Sequence, residues 1–175
     1  MVQASPNVDN YYVGKGVVKI KVAGIDDDYR DVGNCPSFEI TPNITKLAHY
    51  SSRAGTKFKD ANITQQKEMT LKMTLDEITP ENLQIALLGS DADSSGLVHN
   101  IMDLNEIVAA IRFVGTNAVG DKQQVDLPTV SLTPSNAIGF ISDSWAQIEL
   151  TGDVTADESG VFGTIHSGIE GEIDS

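Results

Sequence analysis

The chain has one cysteine, one tryptophan and no long apolar run among its 175 residues, and each shortage removes a class of protein. Cys35 has no second cysteine with which to close a disulfide and no CxxC neighbour, so it is expected to be a buried structural thiol. No apolar stretch approaches the roughly 20 residues that a membrane-spanning helix needs. The opening MVQASPNVDNYY has neither the basic start nor the apolar core of a secretory signal, which leads us to expect a product made in the cytoplasm. The sequons at Asn43 and Asn62 carry no meaning in that setting. Cations are scarce as well: 12 Lys and Arg stand against 25 Asp and Glu, for a net charge of -13. Such a surface repels phosphate backbones and anionic lipid, which argues against a DNA-reading or membrane-docking module. What remains is ordinary for a folded protein, with 40% hydrophobic and 21% charged residues, and the length fits one domain over residues 1–175.

Catalytic and metal-binding signatures are also missing. GTNAVGDK has two glycines at phosphate-loop spacing, but Asp121 stands where that loop needs lysine, so the segment is read as a turn. SDADSSGLVHNIMD begins like a calcium loop with Asp91, Asp93 and Gly96, yet Met102 takes the twelfth position, where a bidentate Glu is required. Asp26, Asp27 and Asp28 are adjacent, and neighbours on an extended chain point in different directions, so a solvated turn is expected there. His49, His99 and His166 lie far apart and in no metal-ligand motif. There is no GxSxG elbow. The expectation is a chain without enzymatic activity, metal or cofactor.

What the sequence does have is alternation. In VVKIKV, Val18, Ile20 and Val22 share one face of a strand while Lys19 and Lys21 take the other. MTLKMTLDE repeats this with Met69, Leu71, Met73 and Leu75. Burial on one side only belongs to antiparallel sheets, since parallel sheets are usually apolar on both faces. EIVAAIRFVG fits a helix or a strand, and its β-branched residues favour the strand. QQVDLPTVSL changes face around Pro128, the mark of an edge or a bulge. WAQIELTGDV and a short segment from Phe162 to His166 complete the strands. One helix is legible: Thr79 can cap it, Pro80 and Glu81 suit its first turn, and Gly89 can end it.

Charge is uneven along the chain. Residues 45–72 hold six basic and two acidic groups, whereas residues 73–175 hold two and seventeen. The basic island includes HYSSRAGTKFKDAN, which reads as a long exposed hairpin or loop, far longer than the usual connection of about four to six residues.

The order of these pieces resembles the major tail tube proteins of long-tailed bacteriophages. The resemblance rests on the opening NYYVGKGVVKIKV, then YRDVGNCPSFEIT, the hairpin HYSSRAGTKFKD, the strand KEMTLKMTLDEIT and NLQIALLG. IRFVGTNAVGDKQQVDLPTVSLTPS and WAQIELTGDVTAD continue it, so it runs from about Asn10 to Asp157. It implies a mainly β chain, an antiparallel β-sandwich with one short flanking helix, related in fold to the hemolysin-coregulated tube proteins of type VI secretion. It further implies a structural virion protein of the phage tail. Hexameric rings with a shared lumen barrel would stack head-to-tail into a tube that conducts DNA into the host without reading its sequence. The partners implied are other copies of the chain, a tape measure protein, a tail terminator and baseplate or tip proteins, with no membrane binding. By position, the ring-bridging hairpin falls on residues 41–66, with Lys46, His49, Arg53, Lys57 and Lys59 as inter-ring contact candidates, and the C-terminus from about residue 168 is expected to be flexible.

The alternative from a different class is a monomeric β-sandwich binding module, of carbohydrate-binding or adhesin type. Such modules present aromatic platforms, and aromatics are only 6% of this chain. A hydrolase ranks third, with no nucleophile to propose.

Overall fold

A computed structural model describes residues 6, 10–53, 55–93, 95–168 and 171–173. The chain is mainly β, with one short helix. Its strands are β1 (Gly16–Val22), β2 (Arg30–Asp31), β3 (Ser37–Ser51) and β4 (Phe58–Leu75), then helix α1 (Pro80–Ala86). They are followed by β5 (Ser90–Asp91), β6 (His99–Asn100), β7 (Ile107–Gly115), β8 (Gln123–Pro134), β9 (Ile148–Val154) and β10 (Thr164–Ser167).

Eight of these strands form one antiparallel sheet in the order β2-β1-β7-β8-β9-β4-β3, with β10 paired to β8, while β5 and β6 make a separate two-stranded ladder. Two separately paired sheets, as a sandwich would have, are not what the pairing describes. Instead one face of a continuous sheet carries the core: Val18, Ile20 and Val22 of β1, Ile107, Ala109 and Ile111 of β7, Leu127, Val130 and Leu132 of β8, Ile148 and Leu150 of β9, and Leu71, Met73 and Leu75 of β4 are all buried. The sheet coils far enough for its two sides to meet, because Phe38 of β3 stacks on Phe113 of β7 with ring centroids 5.4 Å apart. Strand twist accumulated over seven positions gives such curvature. Among the described residues the sheet is not closed into a barrel: β2 and β3 end its main path, and β10 pairs with β8 alone.

The alternating segments fold as their periodicity predicts, and the ambiguous EIVAAIRFVG is strand β7. The change of face in β8 is a bulge: Leu127 pairs with Ile111 and Val130 with Ala109, so Pro128 and Thr129 together oppose Ala110 alone. The extra residue lets both Leu127 and Val130 reach the core. Helix α1 starts as the sequence predicts, with the Thr79 hydroxyl accepting from the Asn82 N–H at 3.2 Å. Its end differs from expectation. Leu88, with φ of 48°, takes the left-handed conformation in place of Gly89. Gly89 is needed for space instead, because a Cβ there would lie 2.6 Å from the Asn100 carbonyl oxygen.

Candidate assembly surface

The basic hairpin is an ordered ribbon. β3 and β4 pair along their whole length, but β9 covers β4 only from Met69 to Leu75. From Phe58 to Glu68, β4 therefore has β3 as its one strand neighbour among the described residues, and nearly all of this stretch is exposed. Gln65 and Asp60 are extra residues on β4, marked by register shifts at Thr45/Lys46 and His49/Tyr50. Such bulges bend and twist a ribbon.

Register distributes the candidate residues over both faces, since directly paired residues share a side. Lys46 (opposite Thr64) and Lys59 (opposite Tyr50) follow the face that bears Ile44 and its partner Lys67. His49, opposite Ala61, follows the other face with the Leu47 and Ile63 pair, and its Nδ1 lies 2.5 Å from Asp60 Oδ1. Arg53 and Lys57 are in the connection between the two strands. The structure thus gathers all five on one protrusion without bringing them into a single cluster.

The apolar residues of the ribbon were not singled out in the sequence. Ile44, Leu47 and Tyr50 on β3 are each just over half exposed, and Phe58 and Ile63 on β4 are 63% and 61% exposed. The signal was there in the spacing. Apolar residues three apart on a strand alternate between faces, so 44, 47 and 50 make both sides of the ribbon sticky instead of one. A two-stranded hairpin without a packed face is marginal in water.

On the face of the sheet opposite the core, a polar cluster is satisfied within the chain. Arg112 of β7, 3% exposed, bonds Asp126 Oδ1 at 2.5 Å and Glu172 Oε1 at 3.2 Å, and its guanidinium lies 4.6 Å from the Tyr29 ring centroid. Burial opposes the charge on Arg112, but the bonds to Asp126 and Glu172 outweigh it and raise its pKa. Lys19 also binds Glu172, and this bond, more than any other contact, holds the Glu172 carboxyl below its usual range. Gln124 completes the attachment of residues 171–173: its amide donates to the Ile173 carbonyl at 2.8 Å and accepts from the Ile173 N–H at 2.7 Å.

Between β3 and the sides of β1, β7, β8 and β10 runs an open groove of about 860 Å³, lined among others by Tyr12, Phe38, Phe113, Val125 and Ile165. Cys35 lines it too and is half-buried, where full burial was expected. Its Sγ donates to the Ser37 carbonyl at 3.1 Å, and desolvation raises the thiol pKa despite backbone hydrogen bonds. A thiol so held is a weak nucleophile. The calcium-like segment is the β5–β6 ladder, where Asp91 faces His99 at 3.1 Å and Asp93 accepts from Ser95. Among the described residues no group of three or more His, Cys, Asp or Glu side chains is placed to hold a metal ion.

A protein-family profile matches residues 11–98, just over half of the chain, including both strands of the ribbon. The chain belongs to that family, described as "Protein of unknown function UCP028589". No curated protein matches the chain. Solved structures similar to this UCP028589 member include a chain of the virion of a native gene transfer agent particle (10% identity, 81% of this chain and 92% of that chain covered, TM-score 0.44). Another is from the tail of an empty gene transfer agent particle with C6 symmetry (10%, 81% and 92%, TM-score 0.43). A third is from the six-fold symmetrised baseplate of the anti-feeding prophage (9%, 86% and 92%, TM-score 0.49). Likeness at this level bears on no functional statement.

Proposed function

We propose that this chain is a structural, non-enzymatic virion protein whose hexameric rings stack into a phage tail tube for DNA. The observation that carries the proposal is the ribbon: eleven residues of β4, from Phe58 to Glu68, extend with their β3 partners past the rest of the sheet, with Phe58, Ile63 and Leu47 exposed on one face of the pair and Ile44 and Tyr50 on the other. A monomer gains nothing from such an element, while a ring stacked on another ring covers both of its sides. Head-to-tail stacking joins unlike surfaces, and the basic tip (Arg53, Lys57) facing an acidic neighbour would give the stack its direction. The free edge of β3 adds to this. Among the described residues β3 pairs with β4 alone, so its other edge presents backbone groups that a neighbour's sheet could continue, which is how rings sharing one lumen barrel would lose their exposed edges. A net charge of -13 suits a conduit that must not hold its nucleic acid.

Shortening Ser51–Lys59 to a tight Gly-containing turn tests the reading. The expected product is soluble, melts cooperatively and forms no tubes, because exposed loop tips tolerate deletion. Normal tubes from the shortened chain would contradict the proposal.

A further inference from the structure

The connection from β8 to β9, residues 135–147, carries the most exposed large apolar side chains in the described part of the molecule. Ile141 is 99%, Trp145 95% and Phe140 71% exposed. The loop is tethered at both ends: the Ser135 N–H donates to the Glu149 carbonyl at 3.0 Å and Gln147 Nε2 to Asp76 Oδ1 at 2.8 Å. Ser142 accepts from the Ser144 N–H at 3.0 Å, which turns the chain between Ile141 and Trp145. A tethered turn holding three large apolar groups in water is a knob without a socket. An aromatic side chain alone can bury about 150–250 Å², so the unmet surface is large.

The same chain has a socket of matching chemistry elsewhere. The groove of about 860 Å³ is walled by Phe38, Phe113, Val18, Ile40, Val125 and Ile165, and part of that wall is itself uncovered, with Ile165 67% exposed. Val125 and Pro134, from which the loop departs, are nine residues apart on β8, or about 30 Å at strand rise. With its side chains in solvent, the loop does not fill its own groove. One charge pair fits the pairing: the groove carries one cation, Lys15, and one anion, Glu39, the loop carries Asp143, and Lys15 and Asp143 are both exposed with no ion pair among the described residues. Glu39 and Gln123 on the wall offer the acceptors that a buried indole N–H requires.

We propose that the Phe140–Trp145 loop of one copy seats in the Phe38/Phe113 groove of the next copy. Knob and socket are different surfaces, so the contact is heterologous and generates a closed ring or an open filament. The inference rests on the assembly reading above and adds a contact that the hairpin does not make.

Cysteine cross-linking of the full chain tests it. In a Cys35→Ser background, Lys15→Cys and Asp143→Cys place one thiol on the socket and one on the knob. Oxidation of assembled protein with copper phenanthroline is expected to give a ladder of dimers and higher multimers on a non-reducing gel. Each single-cysteine chain should lack the ladder beyond a dimer. Adding Trp145→Ala should raise the protein concentration at which the ladder appears by at least about tenfold, the effect of losing one large buried apolar side chain. A cooperative melt for each variant establishes that it folds. Particles seen by electron microscopy but giving no ladder would overturn the inference and leave the assembly reading standing. A fast-migrating monomer with an internal disulfide would overturn it too, by showing the loop in its own groove. Protein that stays monomeric at every concentration would remove both.

Discussion

Gly152 sits in the middle of β9 between Leu71 of β4 and Leu132 of β8, its register partners. A Cβ added there would lie 2.4 Å from Val130 Cγ1 and 3.1 Å from Leu132 Cδ2, and both of those side chains are fully buried. Gly152→Ala should therefore destabilise the fold by about 1–3 kcal/mol, since overpacking outweighs the smaller gain from replacing a strand glycine. Denaturant unfolding measures it, and an unchanged midpoint would contradict the packing described. A second residue-scale consequence concerns pH. The Glu172 carboxyl is held below its usual range, first by Lys19, so its attachment to Lys19 and Arg112 is fully present above the ordinary glutamate value of about 4.3. It is lost as pH falls through the depressed native value. The protection factor of the Ile173 amide, its intrinsic exchange rate at each pH divided by the observed rate, should fall over that acid range, and Glu172→Gln should lower it at neutral pH with little further acid response. An acid response that persists in the Gln variant would point to another carboxyl.

Among the elements, the hairpin shows both the reach and the limit of sequence reasoning. Its place and its basic residues were legible because a long polar, cation-rich stretch between two alternating strands has few other readings. The exposed Ile44, Leu47 and Tyr50 escape a search for one-faced periodicity, since a spacing of three puts apolar residues on both sides of a strand. The β8 bulge was legible from Pro128 and the change of face around it. The end of α1 was not, because Leu88 takes the left-handed turn under tertiary constraint where intrinsic preference favours glycine. Charge reversal separates the ribbon's roles. If Lys57 and Lys59 meet acidic groups on the next ring, replacing both with Glu should oppose stacking, and the defect should shrink with salt as screening reaches about 10 Å at 0.1 M. Undiminished tube yield at low salt would rule out inter-ring contact for these two lysines, and a loss confined to DNA delivery would put them at the lumen.

For the whole molecule, the sequence conveyed a β class and a one-sided core but not how the strands join. One-sided burial in Val18 to Val22 and Leu71 to Leu75 is equally consistent with two stacked sheets or one coiled sheet. Only long-range pairing, such as β4 with β9, distinguishes them. The C-terminal attachment was equally hidden, since Gln124, Arg112 and Glu172 are far apart in sequence and match no local pattern. What unites the exposed ribbon, the uncovered β3 edge and the apolar β8–β9 loop is that each is a poor surface for a lone chain. The most direct measurement is electron microscopy of the purified full chain over rising concentration at low salt. Six-fold rings or stacked tubes are the predicted result. A monodisperse monomer at every concentration, or particles of uniform two-fold or three-fold symmetry, would contradict the account.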